Sequence, residues 1–206
     1  MVVHQPTHFR RPSDRDYKVP PEVLAKLQQT EWCLDTVNDR SFRPIHSFSR
    51  DPPPHLNGRY SFIGKTMKTE STVPLWQAFY RPSNGTVPAE LRVIAELGEG
   101  GLDGHLHTAH GGVTASLIDE ALGSLAGIHK TPGKSIFTAY MKIDYKKPVP
   151  TPSTVLFRVK LNGKSAARKI YCDAWLENGQ DGAVYTTAES LFLETERKHH
   201  GPEAKL

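Results

Sequence analysis

The chain has 206 residues, which is enough for one domain with a real hydrophobic core plus an extension. Its formal net charge is +4, and the charges are scattered without a long lysine or arginine run. This distribution favours an anionic small molecule over duplex nucleic acid, so we expect no nucleic-acid partner. The two cysteines, Cys33 and Cys172, are too few for a disulfide framework and fit a reducing compartment.

The hydropathy pattern predicts a protein without a membrane span. No apolar run reaches the roughly 18 residues that a spanning helix needs, and no signal-peptide core is recognisable. We therefore expect a cytoplasmic location. Arg10 and Arg11 make the first residues basic, which keeps a mitochondrial presequence as the alternative, although Asp14 and Asp16 follow soon after.

The first part of the chain predicts an arm and a helix rather than a sheet. Residues 1–19 lack periodicity, and two prolines at 20 and 21 suit the first turn of a helix that should run to about residue 36. Residues 39–57 resemble a loop stiffened by three consecutive prolines. We assign residues 1–57 to an N-terminal arm and helix packed on the main domain.

Residues 58–195 are predicted to form that domain, followed by a tail at 196–206. Residues 59–67 alternate loosely, and strands are expected at 76–81 and 91–97 around an Asn84-Gly85 turn. After one long helix, four strands are expected in a meander, with Asn-Gly turns in two of the connections, at 135–145, 154–161, 168–177 and 183–193. The order predicts an α+β fold in which an antiparallel sheet wraps around the central helix.

The central helix is predicted from the stretch HGGVTASLIDEALGSLAGI, residues 110–128. Apolar residues recur at steps of three or four, which gives the helix one apolar face, at Val113, Leu117, Ala121, Leu125 and Ile128. Asp119 belongs to another face, beside Gly123 and Gly127. Each glycine lowers helix propensity by roughly 1 kcal/mol relative to alanine. Their retention predicts that another helix, a backbone or a ligand approaches this face.

The helix start offers a possible anion site. Gly111 and Gly112 expose backbone N–H groups where a helix carries about half a positive charge, which suits an anion or a developing oxyanion. The alternative is a tight turn into a buried helix, with Asp119 merely solvated. Gly112 and Asp119 are seven residues apart, or roughly 10 Å along a helix. If both act on one carbonyl, each site takes Gly112 from one subunit and Asp119 from the other, which predicts a symmetric dimer.

Other sequence patterns argue against metal or nucleophilic-serine chemistry. His105 and His107 would share a face if their segment were extended, but no third ligand is evident and no HExxH is present, so we expect no metal and no cofactor. No GxSxG elbow occurs.

Cys172 lies in an apolar strand pattern and is predicted to be a core residue. Glu120, flanked by Ser116 and Ser124 at helical spacing, is predicted to lie on a solvated face.

The combination of HGGVTASLID, SIFTAYMKIDYKKPVP and a last strand with AESLFLE resembles the hotdog-fold acyl-CoA thioesterases of the PaaI/THEM type. The resemblance covers roughly residues 60 to 194. It implies that the N–H of Gly112 polarises the thioester carbonyl and that Asp119 is the catalytic carboxylate, as base or as nucleophile. Thr138 would position the water or Asp119. The sites would lie at the interface of a homodimer, and two such dimers could pair further into a dimer of dimers.

The remaining assignments concern substrate binding. The resemblance implies that His110 and Gly111 shape the turn at the site. Among the basic residues of the later strands and turns, Lys146, Lys147 and Arg168 are candidates to hold the CoA phosphates, although an ordinary solvated surface is the alternative.

The resulting hypothesis is hydrolysis of a medium- to long-chain or aryl acyl-CoA to free acid and CoA. One alternative is a hotdog protein that binds acyl-CoA, or regulates a partner, without turnover. Another is a hydratase or dehydratase, which ranks lower because Asp119 has no evident histidine partner for that chemistry.

Overall fold

The structure is a computed structural model that describes residues 16–52 and 60–196. Two short helices open the described chain, α1 (Pro21–Leu27) and α2 (Glu31–Asn38), and one long helix, α3 (Gly111–His129), lies at its centre. The strands are β1 (Arg43–Ile45), β2 (Leu75–Arg81), β3 (Glu90–Leu97), β4 (Asp103–His105), β5 (Thr108–Ala109), β6 (Lys134–Tyr145), β7 (Ser153–Leu161), β8 (Lys169–Glu177) and β9 (Val184–Glu196).

Seven of these strands form one antiparallel sheet in the order β1-β2-β3-β7-β8-β9-β6. The sheet wraps around α3, whose predicted apolar face is buried against it at Leu117, Ala121 and Leu125. The expected α+β hotdog layout is therefore confirmed. Cys172 is buried in the core, as predicted.

The predicted four-strand meander is wrong in one respect. Strands β7, β8 and β9 follow one another through the two Asn-Gly turns, but β6 pairs with β9 and not with β7. The connection KKPVPTP contains three prolines and no tight-turn signal, so it carries the chain away from β6 to a place between β3 and β8. In the described chain β6 is consequently the last strand of the sheet on its side.

The N-terminal predictions need three corrections. The expected single helix is two helices, separated at residues 28–30, where Gln29 and Thr30 donate to Lys26 O and Leu27 O in tighter turns that end the first helix. The expected loop at 39–57 contains β1, which pairs with β2 and extends the sheet. The loosely alternating stretch at 59–67 contains a short π-helix, Phe62–Thr66, rather than a strand. Residues 1–15, 53–59 and 197–206 lie outside the described residues.

The N-terminal helices cover the face of the sheet that is turned away from α3. Leu27, Cys33 and Phe42 are buried against Leu75, Phe79 and Ile94 of β2 and β3. This second, smaller core explains how the N-terminal segment is held: it removes apolar area from water on the outer side of the sheet.

A small hairpin of β4 and β5 precedes α3 and sets where the helix begins. The N–H of His110 donates to Leu102 O at 2.7 Å, and the N–H of Ala109 donates to Val149 O at 2.9 Å. Within the described ranges, no helix is both long and apolar enough to cross a membrane.

Candidate active site

The start of α3 is organised by His110, which is its N-cap residue. The N–H of Gly112 donates to His110 Nδ1 at 3.0 Å, so that ring nitrogen carries no proton in this arrangement. The hydroxyl of Tyr145, at the end of β6, donates to Gly111 O at 2.8 Å. The structure thus brings three of the expected residues together, and it adds Tyr145, which sequence reasoning missed.

Asp119 and Thr138 form the second cluster of expected residues. The Thr138 hydroxyl donates to Asp119 Oδ1 at 2.9 Å, linking β6 to the middle of α3. The pairing of β6 with β9 shifts register between Thr138 and Tyr140, which is a bulge. Bulges re-aim side chains, and this one lies at the residue that contacts the carboxylate.

A cavity of about 490 Å³ opens beside this pair. Its walls come from α3, from β6 with the adjoining β9, from the segment from Ile45 to Ser49, and from Ala78 of β2 and Tyr60. Gly123 and Gly127 line the cavity. The helix face at which the sequence predicted a close neighbour therefore faces this cavity. Most of the other lining side chains are apolar or aromatic, among them Ile45, Phe48, Ala78, Ile128, Ile136, Phe137 and Phe192.

Glu120 was predicted to be solvated, and that prediction is wrong. Its carboxylate is partly buried, lines the same cavity and accepts a hydrogen bond from the Ser49 hydroxyl. Burial raises the pKa of Glu120 above its ordinary value, while the hydrogen bonds from Ser49 and Ser124 oppose that shift. Ser49 is 71 residues away in sequence, so helical periodicity gave no signal for this contact.

Arg50 fixes the cavity wall that contains Ser49. Its guanidinium is 4% exposed and donates to Met67 O at 2.8 Å, to Ile63 O at 3.4 Å and to Val73 O. Burial lowers the pKa of Arg50 to about 10. Carbonyl partners for a buried cation make the position of this segment specific, because losing them would leave the charge uncompensated.

The three basic residues assigned to the CoA phosphates do not lie together in one chain. Lys146 and Lys147 are exposed beside Tyr145, and both backbone N–H groups donate to Tyr185 O. Arg168 is exposed in the β7–β8 hairpin, and its carbonyl accepts a hydrogen bond from the N–H of Glu194. Glu194 pairs with Ile136, so Arg168 lies near the opposite end of β6 from Lys146 and Lys147. At about 3.3 Å per strand residue, the two ends are roughly 30 Å apart.

The two extra histidines do not share a face. His105 ends β4, but His107 has a φ of 55°, in the left-handed region, so the segment between them is not extended. Across residues 16–52 and 60–196, no group of three or more His, Cys, Asp or Glu side chains is arranged to hold a metal ion.

Comparisons with known proteins agree with this fold. A family model described as the thioesterase superfamily matches residues 106–181. Acyl-coenzyme A thioesterase THEM4 of Mus musculus is 32% identical over 194 residues, covering 87% of this chain and 81% of the relative. THEM4 of Rattus norvegicus is 28% identical over 196 residues, with the same two coverages. The solved structure of yhdA, a proposed thioesterase of Lactococcus lactis, gives a TM-score of 0.52 at 12% identity, over 62% of this chain and 95% of that one.

The chain belongs to the thioesterase superfamily, among the hotdog-fold acyl-CoA thioesterases to which THEM4 belongs. It is a thioester hydrolase, and the resemblance inferred from the sequence is confirmed at that level. The yhdA structure supports the fold alone.

Proposed function

We propose that the protein hydrolyses acyl-CoA at the Asp119–Thr138 pair. The observation that carries the proposal is the 2.9 Å hydrogen bond that holds this carboxylate at the wall of a cavity large enough for an acyl group. Water adds to the thioester carbonyl carbon, the C–S bond breaks, and the CoA thiolate leaves and takes a proton. Asp119 acts as the general base for the water, or attacks the carbonyl itself and is then released by water.

The Gly112 N–H is proposed as the donor to the thioester carbonyl. It lies in the first turn of a 19-residue helix, where backbone donors and the helix dipole favour developing negative charge. In this structure the Gly112 N–H donates to His110 Nδ1, and in the proposed complex the carbonyl oxygen takes the place of that nitrogen. His110 then has a second role, since it keeps the donor satisfied until substrate arrives.

The acyl group is proposed to enter the cavity between α3 and β6. A volume of about 490 Å³ falls in the usual range for small-molecule pockets, and the apolar walls match a medium- to long-chain or aryl acyl group. The segment from Ile45 to Ser49 contributes one of these walls. The N-terminal part of the chain therefore takes part in substrate selection under this proposal.

A homodimer is proposed because one chain cannot complete the site. Gly112 and Asp119 stand roughly 10 Å apart along the same helix, which is too far for both to contact one carbonyl. The 12-residue edge strand β6 exposes Phe137, Tyr140 and Tyr145, and an apolar edge of this length is a natural surface for a second copy. Each site would then combine Gly112 of one subunit with Asp119 of the other.

The same arrangement accounts for the separated basic residues. Lys146 and Lys147 lie on the Gly112 side of each chain, and Arg168 lies toward the end of β6 that contains Thr138. Across a dimer, the two sets meet from different subunits around one CoA. Binding of the CoA phosphates should accordingly weaken at high ionic strength.

Thiol release from a panel of acyl-CoAs tests the assignment. We expect Asp119→Asn to lower turnover by roughly 10²–10⁴-fold, because the carboxylate no longer activates water or attacks the carbonyl. Thr138→Val should have a smaller effect, since it only removes the hydroxyl that orients Asp119. The matched control is Asp35→Asn, an exposed helical aspartate of α2, which should retain wild-type turnover.

Retained turnover in Asp119→Asn would show that another group carries the reaction. Tight acyl-CoA binding by the wild type without thiol release would instead support the non-catalytic alternative.

A further inference from the structure

We propose that Tyr145 is a positioning residue that aims the Gly112 N–H at the thioester carbonyl. The inference rests on the proposed role of Gly112. Tyr145 does not contact the Gly112 N–H directly. Its hydroxyl donates to Gly111 O, which belongs to the same peptide bond as that N–H.

Peptide geometry makes this contact directional. Gly111 C=O and Gly112 N–H belong to one planar unit, and in a trans peptide they point in opposite directions. The Tyr145 hydroxyl donates to that oxygen at 2.8 Å, on the side away from the N–H. Fixing the carbonyl therefore fixes the direction of the donor.

The contact matters most when substrate is bound. In this structure side chains contact both ends of the peptide: Tyr145 donates to the carbonyl, and His110 Nδ1 accepts from the N–H. Once a thioester oxygen replaces His110, Tyr145 becomes the side chain that still orients the unit. A hydrogen bond to the carbonyl also polarises the peptide and strengthens its N–H as a donor, by about 10–30% per bond.

Two glycines leave this turn without side chains that would hold it. The Tyr145 ring lies 3.6–3.7 Å from the place of a Cβ on Gly111, which is ordinary van der Waals contact. The ring packs on the glycine while its hydroxyl reaches the oxygen. Replacement of tyrosine by phenylalanine keeps the ring and removes only the hydrogen bond.

Strand β6 is therefore assigned two positioning tasks. Thr138 orients the carboxylate near one end, and Tyr145 orients the backbone donor at the other. Both groups lie on one strand, so the strand sets their spacing.

The test compares Tyr145→Phe with Tyr171→Phe, a matched loss of a hydroxyl from a half-buried tyrosine of β8. We expect Tyr145→Phe to lower kcat by about 3- to 20-fold with KM within about twofold. This is less than the roughly 10²–10³-fold cost of deleting an oxyanion donor. The ¹⁵N resonance of Gly112 should shift in Tyr145→Phe and stay in place in Tyr171→Phe, because it reports on hydrogen bonding at the preceding carbonyl.

Equal kcat in the two variants overturns the inference, as does a change confined to KM or an unmoved Gly112 resonance. The resonance is read without turnover, so it remains decisive if the variant is less stable. Asp119→Asn separates the two proposals: if it keeps wild-type turnover, the catalytic assignment fails, while the Gly112 resonance still tests the Tyr145 contact.

Discussion

Adjacent carboxylates on α3 have different surroundings and different proposed roles. Asp119 accepts a hydrogen bond from Thr138 of the edge strand, whereas Glu120 accepts one from Ser49 of the N-terminal segment. Both line the same cavity. The neighbours of Glu120 make it a link between α3 and the cavity wall, so the two acids are assigned by their partners and not by their residue type.

Another residue of α3 shows burial outweighing the helix dipole. His129 is the last residue of the helix, where a positive charge is usually stabilised by about 0.3–1 kcal/mol. Its ring is partly buried, with Nε2 3.3 Å from the Tyr80 hydroxyl, and burial lowers the pKa of His129 to about 4. One pKa unit corresponds to about 1.4 kcal/mol, so the free-energy cost of burying the charged ring exceeds the stabilisation that the helix dipole gives it.

His129 should make the folded state sensitive to acid. The pKa of His129 is lower in the folded state than its value of 6.5 in the unfolded state, so on acidification the unfolded state takes up the proton at a higher pH than the folded state does. The stability present above pH 6.5 is therefore lost as the pH falls toward 4. We expect the free energy of unfolding of the wild type to fall by about 2 kcal/mol more than that of His129→Gln between pH 7 and pH 4.5. Urea denaturation at both values measures this.

His105→Gln is the control for that experiment, because this histidine is exposed in the β4–β5 hairpin. Its unfolding free energy should follow the wild type across the range. Parallel pH profiles for the wild type and His129→Gln would contradict the burial argument.

At the scale of elements, α3 combines a buried apolar face with a face that opens on the cavity. Gly123 and Gly127 stand on the open face, where an added Cβ would lie 3.6 Å from Phe192 and 3.9 Å from Ile136. These are ordinary contacts, so alanine would fit. The two glycines therefore lower the helix propensity of α3, and the absence of their side chains leaves more volume in the cavity.

Gly127→Ala should separate stability from chain-length preference. Alanine raises helix propensity and restricts the unfolded chain, so we expect about 0.5–1 kcal/mol of added stability in thermal unfolding. The new methyl group occupies cavity space, so turnover of the longest acyl-CoA should fall several-fold while the shortest is unaffected. The short substrate is the internal control, and an equal change for all chain lengths would place the acyl group elsewhere.

At the scale of the whole molecule, the site is assembled from distant parts of the chain. The N-terminal segment pairs through β1, covers the outer face with α1 and α2, and is fixed near the cavity by Arg50 and Ser49. On the other side of the cavity, β6 remains an edge strand in the described chain. The proposed second copy would close that side.

Mixing two inactive variants tests whether the site is shared between subunits. Asp119→Ala removes the carboxylate, and Gly112→Pro removes the backbone donor, because proline has no N–H; the N–H groups of the first helical turn have no partner within the helix. Random exchange should give half heterodimers with one intact site each, or about one quarter of wild-type activity. Each variant alone, carried through the same exchange, is the control.

Recovery near zero after verified exchange would mean that both residues act within one chain or on different steps. A monomer in sedimentation experiments at catalytic concentrations would equally exclude the shared site.

Local patterns predicted much of the fold because they depend on neighbours in sequence. The periodicity of α3 and the Asn-Gly turns around β8 placed those elements within a few residues. The break between α1 and α2, the strand β1 and the π-helix near residue 64 were not predicted. Their signals are short, and packing against the sheet decides them: Leu27 and Cys33 are buried on its outer face, whereas Ile45 and Ile63 are buried in the main core.

By itself, the sequence determined the central helix, the antiparallel sheet, the family and the candidate pair of Gly112 and Asp119 with Thr138. Those features follow from local periodicity, turn chemistry and a motif of fixed spacing. Only the tertiary structure decided that β6 lies at the edge beside β9, that Ser49 reaches Glu120, and that Tyr145 holds Gly111. Each of these contacts joins residues more than 30 positions apart, and burial and hydrogen-bond geometry select them only once the chain is folded.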